Sequence, residues 1–223
     1  MSGPAPVYRA VMAAATPVVR WWSRLEVVGE ELVPADGPVL VLPNHDSAWD
    51  PVVIWVALAR RRQVRALAKD SLWRNRGVGW VLDRMGQIRL ARGTGDTGAL
   101  TAAEQVLRDG GCLGVFPEGT VSRGRTMPVR SGAGRLALAV PGTVVVGCRL
   151  TGVTDVVRVP RRPRIRVEFL PPVVPTQGES ASALARRVMT AVRTGAPPLI
   201  PGRARAQAAF RRLVAEHDRD RAA

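Results

Sequence analysis

Lysine is almost missing from this chain of 223 residues: Lys69 is the only one among 33 basic residues, so arginine carries nearly all the positive charge. Against 18 acidic residues this leaves a formal net charge of +15 and a pI near 11.7. Such an excess does not specify a fold, but it favours an anionic partner: nucleic acid, an anionic membrane surface or a phosphorylated substrate. So complete a replacement of lysine also fits a GC-rich coding sequence. Histidine is scarce as well, with only His45 and His217. The two cysteines, Cys112 and Cys148, lie in apolar runs where a buried free thiol is the expected state. One histidine in the body of the chain and two distant cysteines make no metal-ligand set. The longest unbroken apolar run, Val52 to Ala59, has eight residues, far fewer than the roughly 18–20 that cross a bilayer. No charged segment followed by a long apolar stretch and a cleavage site opens the chain. The expectation is therefore a reduced protein on the cytoplasmic side, without signal peptide or transmembrane helix.

The length suits one substantial core rather than two. Tyr8, Val11, Met12, Ala15, Val18, Val19 and Trp22 recur at three- and four-residue steps, which predicts an amphipathic helix over residues 7–24. Its apolar face fits either a membrane interface, with Trp21, Trp22 and Arg20 at its end, or the protein's own core. From Gly37 onward short apolar runs alternate with helical stretches, with connections too short for separate domains. This predicts a single α/β domain: a largely parallel, mixed sheet flanked by helices, with a core over about residues 25–172. A helical extension follows over 179–223, with Leu184, Val188, Ala191 and Val192 on one face.

Asn44-His45-Asp46-Ser47-Ala48-Trp49-Asp50-Pro51 directly follows the apolar strand Val39 to Leu42. On a regular helix, side chains five residues apart diverge by roughly 140°. His45 and Asp50 can meet only if the chain turns between them. Pro51 suits a first helical position and Asp50 the N-cap, giving strand, loop and helix start. One Asp50 oxygen would then hold an imidazole N–H while the other faces helix amides, leaving the second ring nitrogen free to take a proton. A second polar loop, Phe116-Pro117-Glu118-Gly119-Thr120 with Ser122 and Arg123, follows the strand Cys112 to Val115. Loops at the carboxyl ends of neighbouring strands are where α/β sheets place their ligands.

Asn44, His45, Ser47 and Asp50 resemble the N-H-x-S-x-x-D block of the 1-acylglycerol-3-phosphate O-acyltransferases, a family of glycerolipid acyltransferases. Phe116 to Thr120 with Ser122 and Arg123 resemble that family's F-P-E-G-T-x-S-R block, and Gly86 to Arg92 its G-x-I-x-hydrophobic-x-R block. Arg89 stands where the family usually has Pro or an aromatic, Val121 replaces a usual Arg, and a fourth block at Val144 to Cys148 lacks its prolines. The resemblance implies that His45 is a general base oriented by Asp50. It would deprotonate the free hydroxyl of a lysophospholipid, which attacks an acyl thioester of coenzyme A or acyl carrier protein without an acyl-enzyme. The absence of a G-x-S-x-G elbow agrees. Glu118, Gly119, Thr120, Arg92 and Arg123 would bind the acceptor, with Arg92 on its phosphate. The implied reaction is lysophosphatidate to phosphatidate in phospholipid biosynthesis, at the cytoplasmic face of the membrane and with no cofactor or metal beyond the acyl donor. A lyso-ornithine lipid or a glycolipid is an alternative acceptor.

Two other classes compete. Gly93 to Gly98 fits G-x-G-x-x-G, with Glu118 twenty residues beyond, but Arg89 is ill suited to a doubly buried strand before such a loop. The arginine clusters Arg60 to Arg76 and Arg158 to Arg166 suggest a nonenzymatic basic module. Nucleic acid is not expected, because interleaved aromatics, a helix-turn-helix and a zinc pattern are all lacking; electrostatic docking to anionic lipid is the stronger use.

Overall fold

The computed structural model describes residues 5–91, 96–155 and 162–199. Seven strands form one sheet: β1 (Arg24–Val28), β2 (Val39–Pro43), β3 (Val64–Lys69), β4 (Ile88–Leu90), β5 (Cys112–Gly114), β6 (Val144–Thr151) and β7 (Arg164–Phe169), in the order β1-β7-β6-β2-β5-β3-β4. All pairs are parallel except β6 with β7. The expected mixed, largely parallel sheet is therefore present, and β1 and β7 run opposite to the other five. Arg24 lies beside Arg164 at one end of that reversed pair.

β2 is central and every residue in it is buried, as a strand covered on both faces requires. Successive side chains point to opposite faces. Val39 and Val41 join Ile54 and Leu58 of α2 (Asp50–Leu58) on one side. Leu40 and Leu42 join the core formed with α4 (Thr97–Arg108), α5 (Gly132–Ala139) and α6 (Ala181–Gly195) on the other. The thiols of Cys112 and Cys148 are free and buried in the first of these cores, where desolvation pushes that of Cys112 up to about 12 and that of Cys148 further.

The first helix, α1 (Pro6–Trp22), packs Tyr8 and Met12 against Met85, just after α3 (Arg76–Arg84). Its far end is different: Val18 and Trp21 are 60% and 71% exposed. No helix among the described residues is long and apolar enough to cross a membrane.

Helix α6 is set deeply on the second core. A methyl group at Gly134 of α5 would stand 1.9 Å from the Ala181 carbonyl oxygen, and one at Gly147 of β6 would press on Val192 and Leu170 at 3.0 and 3.1 Å. Two glycines thus allow the close approach. Leu184, Ala185, Val188, Met189 and Val192 are the buried face, while Ala191, expected on it, is exposed.

Much of the arginine excess holds the chain to itself. Arg61 donates to the Val33 and Glu31 carbonyls, and Arg62 to those of Pro34, Gly37 and Gly110 at 2.8–2.9 Å. Arg89, on the edge strand β4, is exposed and stacks 4.9 Å from the Trp73 ring centroid.

Candidate active site

The carboxyl ends of β2 and β5 lie side by side, so the loops that leave them meet. The β2 loop is anchored first by Asn44, whose amide bridges the end of β6: Nδ2 donates to the Leu150 carbonyl at 3.0 Å and Oδ1 accepts the Leu150 N–H at 2.8 Å. The same Nδ2 reaches Asp46 Oδ2 at 2.9 Å. The loop then turns, and Asp50 comes back beneath His45.

The turn brings His45 Nδ1 to 3.0 Å from Asp50 Oδ2. The same oxygen accepts the backbone N–H groups of Asp46 and Ser47, both at 2.8 Å. Three donors therefore converge on one atom, and Oδ1 is buried with no hydrogen-bond partner among the described residues. This corrects the expected division of labour. Asp50 is the first residue of α2 rather than its N-cap, which is Trp49, and its carboxylate serves loop amides, not helix amides. Burial pushes the Asp50 carboxyl above its usual range, and the His45 and backbone hydrogen bonds pull against that. A carboxylate accepts only, so Nδ1 carries the proton in this arrangement. Nε2 makes no hydrogen bond to a described residue. The Phe116 ring lies against the imidazole, with centroids 4.2 Å apart and planes 33° apart.

The β5 loop grips the His45 peptide from both sides. Glu118 Oε2 accepts the His45 N–H at 3.1 Å, and the Ser122 N–H donates to the His45 carbonyl at 2.7 Å. Ser122 Oγ also donates to Asp46 Oδ1. Glu118 is only 3% exposed. Burial raises its carboxyl above the usual range, opposed by a guanidinium. That guanidinium belongs to Arg193 on α6, which sends Nε to Glu118 Oε1 and Nη2 to Oε2, both at 2.6 Å, and Nη1 to Asp46 Oδ2 at 2.8 Å.

His45, Asp50 and Glu118 are thus brought together, with Gly119 following in a turn that closes on the Phe116 carbonyl. Thr120 and Arg123 are exposed on the same loop. Arg123 is the one non-glycine residue at positive φ (51°) among the described residues. Arg92, and Gly93 to Gly95 of the glycine-rich stretch, lie outside the described residues, as does His217. Sequence reasoning missed Asp46 and Arg193. Asp46 sits in plain view between two motif positions, but Arg193 is 75 residues beyond Glu118 and its only local signal is its place beside the buried Val192.

The family model described as Acyltransferase matches residues 24–151, more than half of the chain. A 1-acyl-sn-glycerol-3-phosphate acyltransferase of Borreliella burgdorferi is 32% identical over 133 residues, 57% of this chain and 52% of that protein; the match spans about half of that relative's length. A lyso-ornithine lipid O-acyltransferase of Pseudomonas aeruginosa is 30% identical over 79% of this chain and 77% of its own. Among solved structures, the 1-acyl-sn-glycerophosphate acyltransferase of Thermotoga maritima shares the fold, with a TM-score of 0.68 and 22% identity over 84% of this chain and 78% of that one. The two loops that meet around His45 both lie within the matched segment, and the chain belongs to the acyltransferase family.

Proposed function

We propose that this protein transfers a fatty acyl group from an acyl thioester to the free hydroxyl of a lysophospholipid, with 1-acylglycerol-3-phosphate as acceptor and phosphatidate as product. The observation that carries this reading is the His45–Asp50 pair: Nδ1 is tied to a buried carboxylate, and Nε2 is uncommitted within the site. Asp50 fixes the tautomer and stabilises the imidazolium that forms, so Nε2 can take the acceptor's hydroxyl proton. The freed oxygen attacks the thioester carbonyl, and the new C–O bond forms as the C–S bond breaks. The thiolate leaves and the imidazolium supplies a proton to it. No metal is needed, and coenzyme A or acyl carrier protein enters as part of the donor.

Glu118 has both oxygens engaged within the protein, so it serves the acceptor indirectly by holding the loop. Gly119, Thr120 and the exposed Arg123 on that loop, with Arg92 of the Gly86 to Arg92 block, are the groups for the acceptor's glycerol-phosphate portion; guanidinium binds phosphate oxygens in pairs. The remaining surface charge and the exposed Trp21 and Val18 of α1 suit peripheral attachment to an anionic membrane.

A second acceptor, a lyso-ornithine lipid, is favoured by one observation: the Pseudomonas relative aligns over far more of the chain than the Borreliella one. Purified protein incubated with a panel of lysolipids and acyl-CoA or acyl-carrier donors, scored by product mass, decides between them. Phosphatidate formation lost in His45→Ala is the expected result. Turnover of no lysolipid, or wild-type turnover by that variant, would overturn the reading.

A further inference from the structure

We infer that Arg193 is a positioning residue for His45, acting from α6 through Glu118 and Asp46. The inference rests on His45 as the reacting base but concerns a residue of a different element, beyond residues 24–151 that the family model covers.

Arg193 does not touch His45. It binds two groups that do hold the His45 segment: Glu118, which accepts the His45 N–H, and Asp46, the next residue along, which Ser122 also clamps. One guanidinium thus joins the loop after β2 to the loop after β5 and fastens both to a helix wedged on the sheet. Asp46 and Glu118 are 4% and 3% exposed, and buried charges are tolerated when paired and hydrogen-bonded. Without Arg193 two buried carboxylates would face each other uncompensated, and the loops would part or admit water.

A role as substrate ligand fits less well. All three guanidinium nitrogens already have protein acceptors, since Nη1 also donates to the Ala196 carbonyl at 3.0 Å. The fork geometry further explains why arginine rather than lysine stands here, because Nε and Nη2 meet both oxygens of one carboxylate at once.

The test compares Arg193→Met and Arg193→Lys with wild type in kcat, in KM for lysophosphatidate and a long-chain acyl-CoA, in thermal midpoint, and in the side-chain nitrogen spectrum of His45. With only two histidines in the chain, that spectrum is simple to assign. The expected result for Arg193→Met, assayed well below its midpoint, is a kcat about 100-fold lower with both KM values within about threefold, as a misplaced catalytic group gives. The Nδ1–H signal should broaden or split between tautomers, and Arg193→Lys should recover part of both. Wild-type kcat with an unchanged spectrum overturns the inference, as does a raised acceptor KM at constant kcat, which would make Arg193 a substrate ligand. Should Arg193→Met fail to fold, Arg193→Lys decides alone, since retention of full kcat there contradicts a role for the fork. Wild-type protein that turns over no lysolipid, with an altered His45 spectrum in the variants, would reject the proposed function and leave the positioning role standing.

Discussion

His45 and Asp50 are joined through a single carboxylate oxygen: Asp50 Oδ2 takes the imidazole Nδ1 and two backbone N–H groups, while Oδ1 is buried without a partner among the described residues. In Asp50→Asn the amide oxygen can replace Oδ2, so the loop keeps its shape, but a neutral group no longer stabilises the imidazolium. Turnover should fall by about 10²–10⁴-fold, the range that general-base catalysis contributes. Steady-state kinetics with circular dichroism to confirm folding check this; a variant with wild-type kcat would mean that the pair is only structural.

The same substitution separates function from stability through pH. Burial raises the Asp50 carboxyl above its ordinary value of 3.8, so the folded chain binds that proton more readily than the unfolded chain. Asp50's contribution to stability is therefore greatest below pH 3.8 and declines as pH rises through the raised folded value. Measured by denaturant unfolding across pH 4–7.5, a range chosen to span about three units above the ordinary carboxylate value, the stability of Asp50→Asn relative to wild type should grow with pH. A constant difference would show that Asp50 titrates alike in both states.

Asn44 ties the β2 loop to β6 through two hydrogen bonds with Leu150 and makes a third to Asp46 within the loop. In Asn44→Ala the buried Leu150 N–H and carbonyl lose their side-chain partner. The expected cost is about 2–6 kcal/mol, from ~1–3 kcal/mol for each of the two buried groups left unpaired, read from the shift in the urea midpoint. A loss below about 0.5 kcal/mol, the size typical of an ordinary surface change, would count against this anchoring role.

Gly134→Ala tests the seat of α6. Its methyl group would meet the Ala181 carbonyl oxygen at 1.9 Å, so the helix must move, at about 1–3 kcal/mol. Because Arg193 rides on that helix, kcat should fall as well. Gly132→Ala, on α5 like Gly134 but with nothing within 4 Å of the added carbon, is the control and should leave both quantities unchanged or slightly raise stability.

Attachment through α1 is tested with vesicles containing phosphatidylglycerol. Binding should weaken as salt rises, since screening shortens the reach of surface charge. Trp21→Ala should weaken it by roughly 10- to 100-fold at fixed salt, because the transfer of a large apolar side chain is worth about 1.5–3 kcal/mol. Salt-insensitive binding would remove charge as the cause.

The sequence made the alternation of strands and helices legible because each run from Gly37 to Leu170 carries its own period and its own turn residues. β1 was not expected. Arg24–Val28 is short and half exposed, and it becomes a strand only by pairing with β7, which begins at Arg164; nothing local announces such a partner. The His45 and Glu118 loops were legible as motifs, since residues close in sequence compose them. The electrostatic closure of the site was not, because Arg193 comes from another helix and looks like any arginine beside an apolar stripe. Arg61 and Arg62 show the reverse case: a cluster that reads as a basic surface instead stitches loop carbonyls together.

The reversed run of β1 and β7 brings the start of β1 to the end of the sheet from which the His45 loop leaves. Arg24 and Arg164 stand at the edge of the sheet where β6 ends, near Leu150, to which Asn44 of the His45 loop is bonded. α1 delivers Trp21 to that edge, three residues before Arg24. The exposed Trp21 ring and the His45 loop thus lie toward the same end of the sheet. Adsorption at that end would turn substrate capture into a search in two dimensions: a lysolipid would reach His45 by lateral diffusion, and turnover would follow its surface density rather than its bulk concentration.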